Sequence, residues 1–191
     1  MTAMPATDAP RRMTVEEFLA VPESEPGRWE LIDGEVVVSD PTFLHQQTAT
    51  NLLFALETWR RAADRRGVVN LPVDTAGGPD TIVAPDLQWW SHGRDLPDPT
   101  TRPYPLGDLV VEVRSPSTWA VDVGRKRAIY EREGVRELWL VDPLSQTVLV
   151  FARSSAAAAE FDVARDLGPG DALTSPLLPE FSVGVAELFA S

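Results

Sequence analysis

The chain has 191 residues, 43% of them hydrophobic and 24% charged, with a formal net charge of -12. That hydrophobic share builds a core and excludes a disordered chain, and the acidity argues against coating nucleic acid by bulk electrostatics. The absence of cysteine excludes disulfides, thiolate zinc sites and cysteine nucleophiles and suits a cytoplasmic protein; no apolar run approaches the roughly 18 residues that span a bilayer.

Residues 1–12 read as a loose tail of Ala, Pro and Thr, leaving residues 13–190 as one domain. Thr14 and Glu17 have the spacing of a capping box, which predicts a short helix through Leu19. Pro22 to Gly27 is a linker. Asp33-Gly34 between Trp29–Ile32 and Glu35–Val38 is a two-residue hairpin signal. From Leu44 to Arg66, Leu52, Leu53, Leu56 and Trp59 recur at helical spacing, and Gly67 ends the pattern. Val68–Val73 and Thr81–Trp90 read as strands joined at Gly77-Gly78-Pro79, with one of Trp89 and Trp90 expected at the surface. Asp108–Arg114 is a strand, and Ser117 caps a helix running to about Glu133 before Gly134. Glu137–Val141 and Thr147–Phe151 are strands around Asp142-Pro143, followed by an edge strand at Phe161–Ala164 and a closing helix at Val185–Phe189. Strands mixed with two substantial helices give an α/β or α+β fold.

Charge is unevenly distributed. Residues 59–66 and 112–136 are modestly basic islands, net +3 and +2, in an otherwise acidic chain. The 17 basic residues comprise 16 arginines and a single lysine, Lys126. An arginine keeps its charge on a planar fork, whereas a lysine is a compact ammonium of tunable pKa, so Lys126 marks a place where the ammonium itself matters.

Alternation along Asp108–Arg114 puts Leu109, Val111 and Val113 on one face, with Asp108, Val110, Glu112 and Arg114 on the other. Glu112 therefore sits deep in an apolar strand, where an ionised carboxylate needs a partner. Lys126 shares the inward stripe of the next helix with Ile129 and Tyr130 and can reach it. Asp86, in the preceding strand, adds a second carboxylate of the kind that binds a hard cation. Two readings stay open on spacing alone. Asp86 and Glu112 hold a metal that activates water, with Lys126 orienting it; or Lys126 and Glu112 form a buried salt bridge and Asp86 is a turn residue. His45 and His92 have no short ligand spacing, and neither a serine-hydrolase elbow nor a phosphate-binding glycine loop occurs.

The order Pro85-Asp86, Glu112-Val113-Arg114-Ser115-Pro116-Ser117, Asp122…Lys126…Tyr130 and Gly134-Val135-Arg136-Glu137-Leu138-Trp139-Leu140-Val141-Asp142-Pro143 resembles the Uma-type restriction endonucleases of the PD-(D/E)XK nuclease superfamily. Trp29-Glu30-Leu31-Ile32-Asp33-Gly34-Glu35, His45-Gln46 and Leu177-Leu178-Pro179-Glu180-Phe181 are similar to that family too. The resemblance implies a restriction-endonuclease-like core, a mixed sheet flanked by helices with an N-terminal helix and hairpin. It implies an endonuclease that hydrolyses DNA phosphodiester bonds with Mg²⁺, for which Mn²⁺ substitutes. Asp86, Glu112 and Lys126 match its catalytic positions, with Asp86, Glu112 and Glu30 as metal contacts. The superfamily places a lysine two residues after the strand glutamate, and here that residue is Arg114, which accepts no proton but can clamp a phosphate. Cutting both strands implies a homodimer. The alternative is a catalytically inactive nucleic-acid-binding or protein-interaction domain on the same fold.

Overall fold

In the computed structural model the described residues are 12–21, 27–115 and 122–190. Most of the expected tail and linker and the Ser117 cap lie outside them. The capping box forms: Thr14 Oγ1 accepts from the Glu17 N–H at 3.1 Å, and Glu17 Oε2 accepts from the Thr14 N–H at 2.9 Å. It starts α1 (Val15–Leu19), whose Phe18 packs on Leu31 and Ile82. The hairpin β1 (Arg28–Ile32) and β2 (Glu35–Ser39) turns at Asp33 and Gly34, with φ of 51° and 78°. Two successive left-handed residues make the turn whose twist matches that of paired strands.

The remaining strands are β3 (Val68–Asn70), β4 (Thr75–Ala76), β5 (Ile82–Val83), β6 (Leu87–Trp90), β7 (Tyr104–Pro105), β8 (Leu109–Val113), β9 (Glu137–Asp142), β10 (Thr147–Ala152), β11 (Val163–Leu167), β12 (Ala172–Thr174) and β13 (Ser182–Gly184). The expected single mixed sheet is two mixed sheets. One has the order β2-β1-β5-β4-β7 and the other β11-β10-β9-β8-β6-β3, with β12 and β13 paired apart. The run Thr81–Trp90, expected as one strand, breaks at Ala84-Pro85-Asp86. Pro85 has no N–H to give a ladder, so β5 joins the first sheet and β6 the second. Asp86 is left at the seam between them.

Helix α2 (Phe43–Arg61) is capped by Thr42, whose Oγ1 accepts from the His45 N–H at 3.3 Å. It ends before the expected Arg66, and Gly67 instead turns the chain into β3 with φ 78°. A Cβ there would lie 2.1 Å from the Trp90 carbonyl oxygen, so only glycine fits. Between β8 and β9 the crossover holds a wide π-helical turn at Asp122–Lys126 and then α3 (Arg127–Arg132). The chain closes with α4 (Val185–Leu188).

β8 and β9 are parallel neighbours, and every residue of both is buried. Leu52, Leu56 and Trp59 of α2 cover the face bearing Leu109, Val111 and Val113, while Ile129 and Tyr130 of α3 cover Val110, Leu138 and Leu140. Each fully buried side chain of this size contributes about 1.5–3 kcal/mol. Coverage of both faces also corrects the expectation for the tryptophan pair. Trp89 and Trp90 are both buried, their indole N–H groups donating to the carbonyls of Arg66 and Pro105.

Candidate active site

The seam collects charge. Asp86 directly precedes β6, whose Leu87 pairs with Val111, so it stands beside the end of β8 where Glu112 lies. Its Oδ2 accepts from the Val113 N–H at 2.7 Å and from His45 Nε2 at 3.2 Å, and its Oδ1 accepts from Arg28 Nη1. His45 comes from the first turn of α2, turned inward by the Thr42 cap. Arg28 and Glu30 are two positions apart on β1 and share the face toward the seam.

Lys126 joins the two sheets. Its Nζ is 2.6 Å from Glu112 Oε1, 2.9 Å from Glu30 Oε1 and 3.1 Å from Glu30 Oε2. Glu30 Oε1 also accepts from the Ala84 N–H at 2.7 Å, and Tyr130 donates its hydroxyl to Glu112 Oε1. Lys126 is the last residue of the π-helical turn, a local widening that is frequent at functional sites.

Asp86, Glu30, Glu112, His45 and Lys126 are all buried, so the electrostatics are strong. Burial alone would raise the Glu30 carboxyl, but the charges of Lys126 and Arg28 and the Ala84 N–H hold it below the usual range. Asp86 is likewise pushed against burial, well below the ordinary carboxylate range, by Arg28 and His45. Burial opposes the charge on Arg28, and Asp86, Glu30 and Glu112 more than restore it. Three carboxylates thus face two fixed cations.

The cleft among these residues has a volume of about 10 Å³, room for about one water. A phosphodiester does not fit it in this conformation. Among the described residues no three acidic or histidine side chains stand as a ready metal cage. The donor chemistry nevertheless suits a hard divalent ion, because Mg²⁺ takes one or two carboxylates and fills its remaining positions with water and phosphate oxygens. Two residues that line the same cleft carry buried polar atoms without a hydrogen-bond partner: Nε and Nη2 of Arg28, and Nδ1 of His45.

The structure brings together Asp86, Glu112, Lys126 and Glu30 of the residues chosen from sequence. It does not bring Arg114 to them. Arg114 Nη1 donates to Asp142 Oδ2 at 2.6 Å, at the end of β9. Sequence reasoning passed over Arg28, and it gave no site role to His45 or Tyr130. The two-residue spacing of Arg28 and Glu30 and the Thr42-to-His45 cap were the available signals.

No curated protein matches the chain. A solved structure from Anabaena variabilis, described as "a putative nuclease belonging to DUF820", matches with a TM-score of 0.74 at 21% identity, covering 93% of this chain and 97% of that one. At that identity the likeness establishes the fold. The family model described as "Uma2: Putative restriction endonuclease" matches residues 15–186. The chain belongs to the Uma2 family.

Proposed function

We propose that this protein is a metal-dependent endonuclease that hydrolyses DNA phosphodiester bonds. The observation that carries the reading is the meeting of Asp86, Glu112 and the chain's single lysine at the seam, with Lys126 Nζ 2.6 Å from Glu112. Asp86 and Glu112 would hold Mg²⁺, with Mn²⁺ substituting, and Glu30, which tethers Lys126, would add a further contact to the ion. A divalent ion held there supplies Lewis acidity and a bound water. Lys126 orients the attacking water and offsets the charge that builds on the phosphate oxygens. Hydrolysis puts the water's hydroxyl on phosphorus, breaks one P–O ester bond and passes a proton to the departing oxygen. Arg114, partly exposed beyond the end of β8, would meet a neighbouring phosphate by leaving Asp142. A homodimer lets two such sites cut two strands.

Cleavage of plasmid DNA with Mg²⁺ or Mn²⁺ tests the reading. Asp86→Ala, Glu112→Ala and Lys126→Ala should each lower the rate at least about 100-fold, the usual scale for losing a group that acts in the transition state. Folded variants that all cut like the parent would remove the site.

A second reading rests on one specific observation: the cluster is internally paired around a cleft of about 10 Å³. That arrangement suits a catalytically silent nucleic-acid-binding or protein-interaction domain. It requires DNA left uncut at every divalent-ion concentration.

A further inference from the structure

Arg28 separates two cavities. One is the small carboxylate cleft. The other has a volume of about 780 Å³ and is walled largely by apolar and aromatic side chains, Trp29, Trp90 and Tyr104 among them. Among the described residues Arg28 alone lines both. It spends Nη1 on Asp86, while Nε and Nη2 are buried with no hydrogen-bond partner. These two nitrogens form one edge of the guanidinium, and their N–H bonds run parallel. That edge matches two oxygens of a carboxylate or phosphate. Leaving two charged donors buried and unmatched is costly, so an unfilled fork calls for an acceptor.

We propose that the Nε/Nη2 edge of Arg28 binds the two non-bridging oxygens of a phosphodiester, with the attached nucleoside in the cavity walled by Trp29, Trp90 and Tyr104. This rests on the nuclease reading and deepens it by naming the residue that holds the strand. The carboxylate cleft admits no phosphate, whereas the larger cavity has the volume for one; Arg28 lines both, and the atoms covering its buried Nε/Nη2 edge must part for a phosphate to reach it. The partly exposed rings of Trp29 and Tyr104, set beside the buried Trp90, accept a base by stacking whatever its identity. Through its bond to Asp86, Arg28 ties the seated phosphate to the carboxylate that would hold the metal.

Calorimetric binding of three probes in metal-free buffer tests the proposal: the dinucleotide TpT, its uncharged methylphosphonate analogue and inorganic phosphate. The wild-type protein should bind TpT at least about tenfold more tightly than the analogue or inorganic phosphate. Arg28→Lys keeps a cation beside Asp86 but loses the fork, and should erase the preference over the analogue while the thermal midpoint stays close to wild type. The comparison of TpT with the analogue on wild-type protein alone decides the matter if the variant does not fold. Equal binding of TpT and the analogue, binding of neither, or a preference that survives Arg28→Lys overturns the proposal. Inorganic phosphate binding as tightly as TpT overturns it too, by assigning the fork to free anions. A protein with the Arg28-dependent preference that never cuts DNA upholds the fork and removes the nuclease. One that cuts DNA without the preference removes the fork alone.

Discussion

Glu137 opens β9, and Glu112 lies near the end of β8, the parallel strand beside it. Both are buried, and each is bonded by an aromatic side chain, yet their surroundings differ in kind. Glu137 accepts from the Trp139 indole at 2.7 Å and the Ser175 hydroxyl at 2.5 Å, and its nearest cation, Arg165, is 3.9 Å away. Burial therefore wins and pushes its carboxyl up. At the seam, Glu112 and Glu30 share Lys126, and Glu30 is held down. The same side chain in the same sheet is a structural hydrogen-bond hub at one place and part of a charged cluster at the other. What separates them is a dedicated cation, and the chain supplies its one ammonium at the seam.

The largest test of that difference removes the cation. Lys126→Met should lower unfolding free energy in urea by about 3–5 kcal/mol, because it strands two buried carboxylates. A loss under about 1 kcal/mol would show the cluster to be far better hydrated than its burial implies. Tyr130→Phe sharpens the contrast on the Glu112 side. Losing one hydrogen bond to a charged group should cost about 1.5–3 kcal/mol in the same measurement.

The two regions should also respond oppositely to pH. Asp86 and Glu30 have depressed folded pKa values, so their contribution is present above the ordinary carboxylate range. It is lost as pH falls through the depressed values. Glu137 has a raised folded pKa. Its contribution is present below the ordinary glutamate range and is lost as pH rises through the folded value. Urea midpoints from about pH 3 to about pH 8 should show Glu137→Gln stabilising toward neutral pH relative to acid, and Glu30→Gln destabilising there. Parallel pH profiles would erase the distinction. The smallest effect belongs to the surface: Arg125→Ala, cutting the ion pairs to Asp33 and Glu35, should cost less than about 1 kcal/mol and be salt-sensitive.

Local pattern carried the reading a definite distance. Period-two alternation put Glu112 on the α3 side of its strand, and helical spacing put Lys126 and Tyr130 on the inward stripe. The capping box and Asp-Gly turn set the N-terminal helix and hairpin. Spacing did not show that Thr81–Trp90 divides at Pro85 between two sheets, because sheet membership depends on partners far along the chain. His45 and Arg28 stayed hidden for the same reason: they meet Asp86 only through long-range packing. The widening of the helix at Asp122–Lys126 has no periodic signature either.

The central claim is that the seam holds a divalent ion on Asp86 and Glu112. Calorimetric titration of Mn²⁺ into wild-type protein and into folded Glu112→Gln tests it without requiring turnover. The account predicts a saturable one-site heat in the wild type that is lost in the variant. Equal heats in both, or none in the wild type, would contradict it.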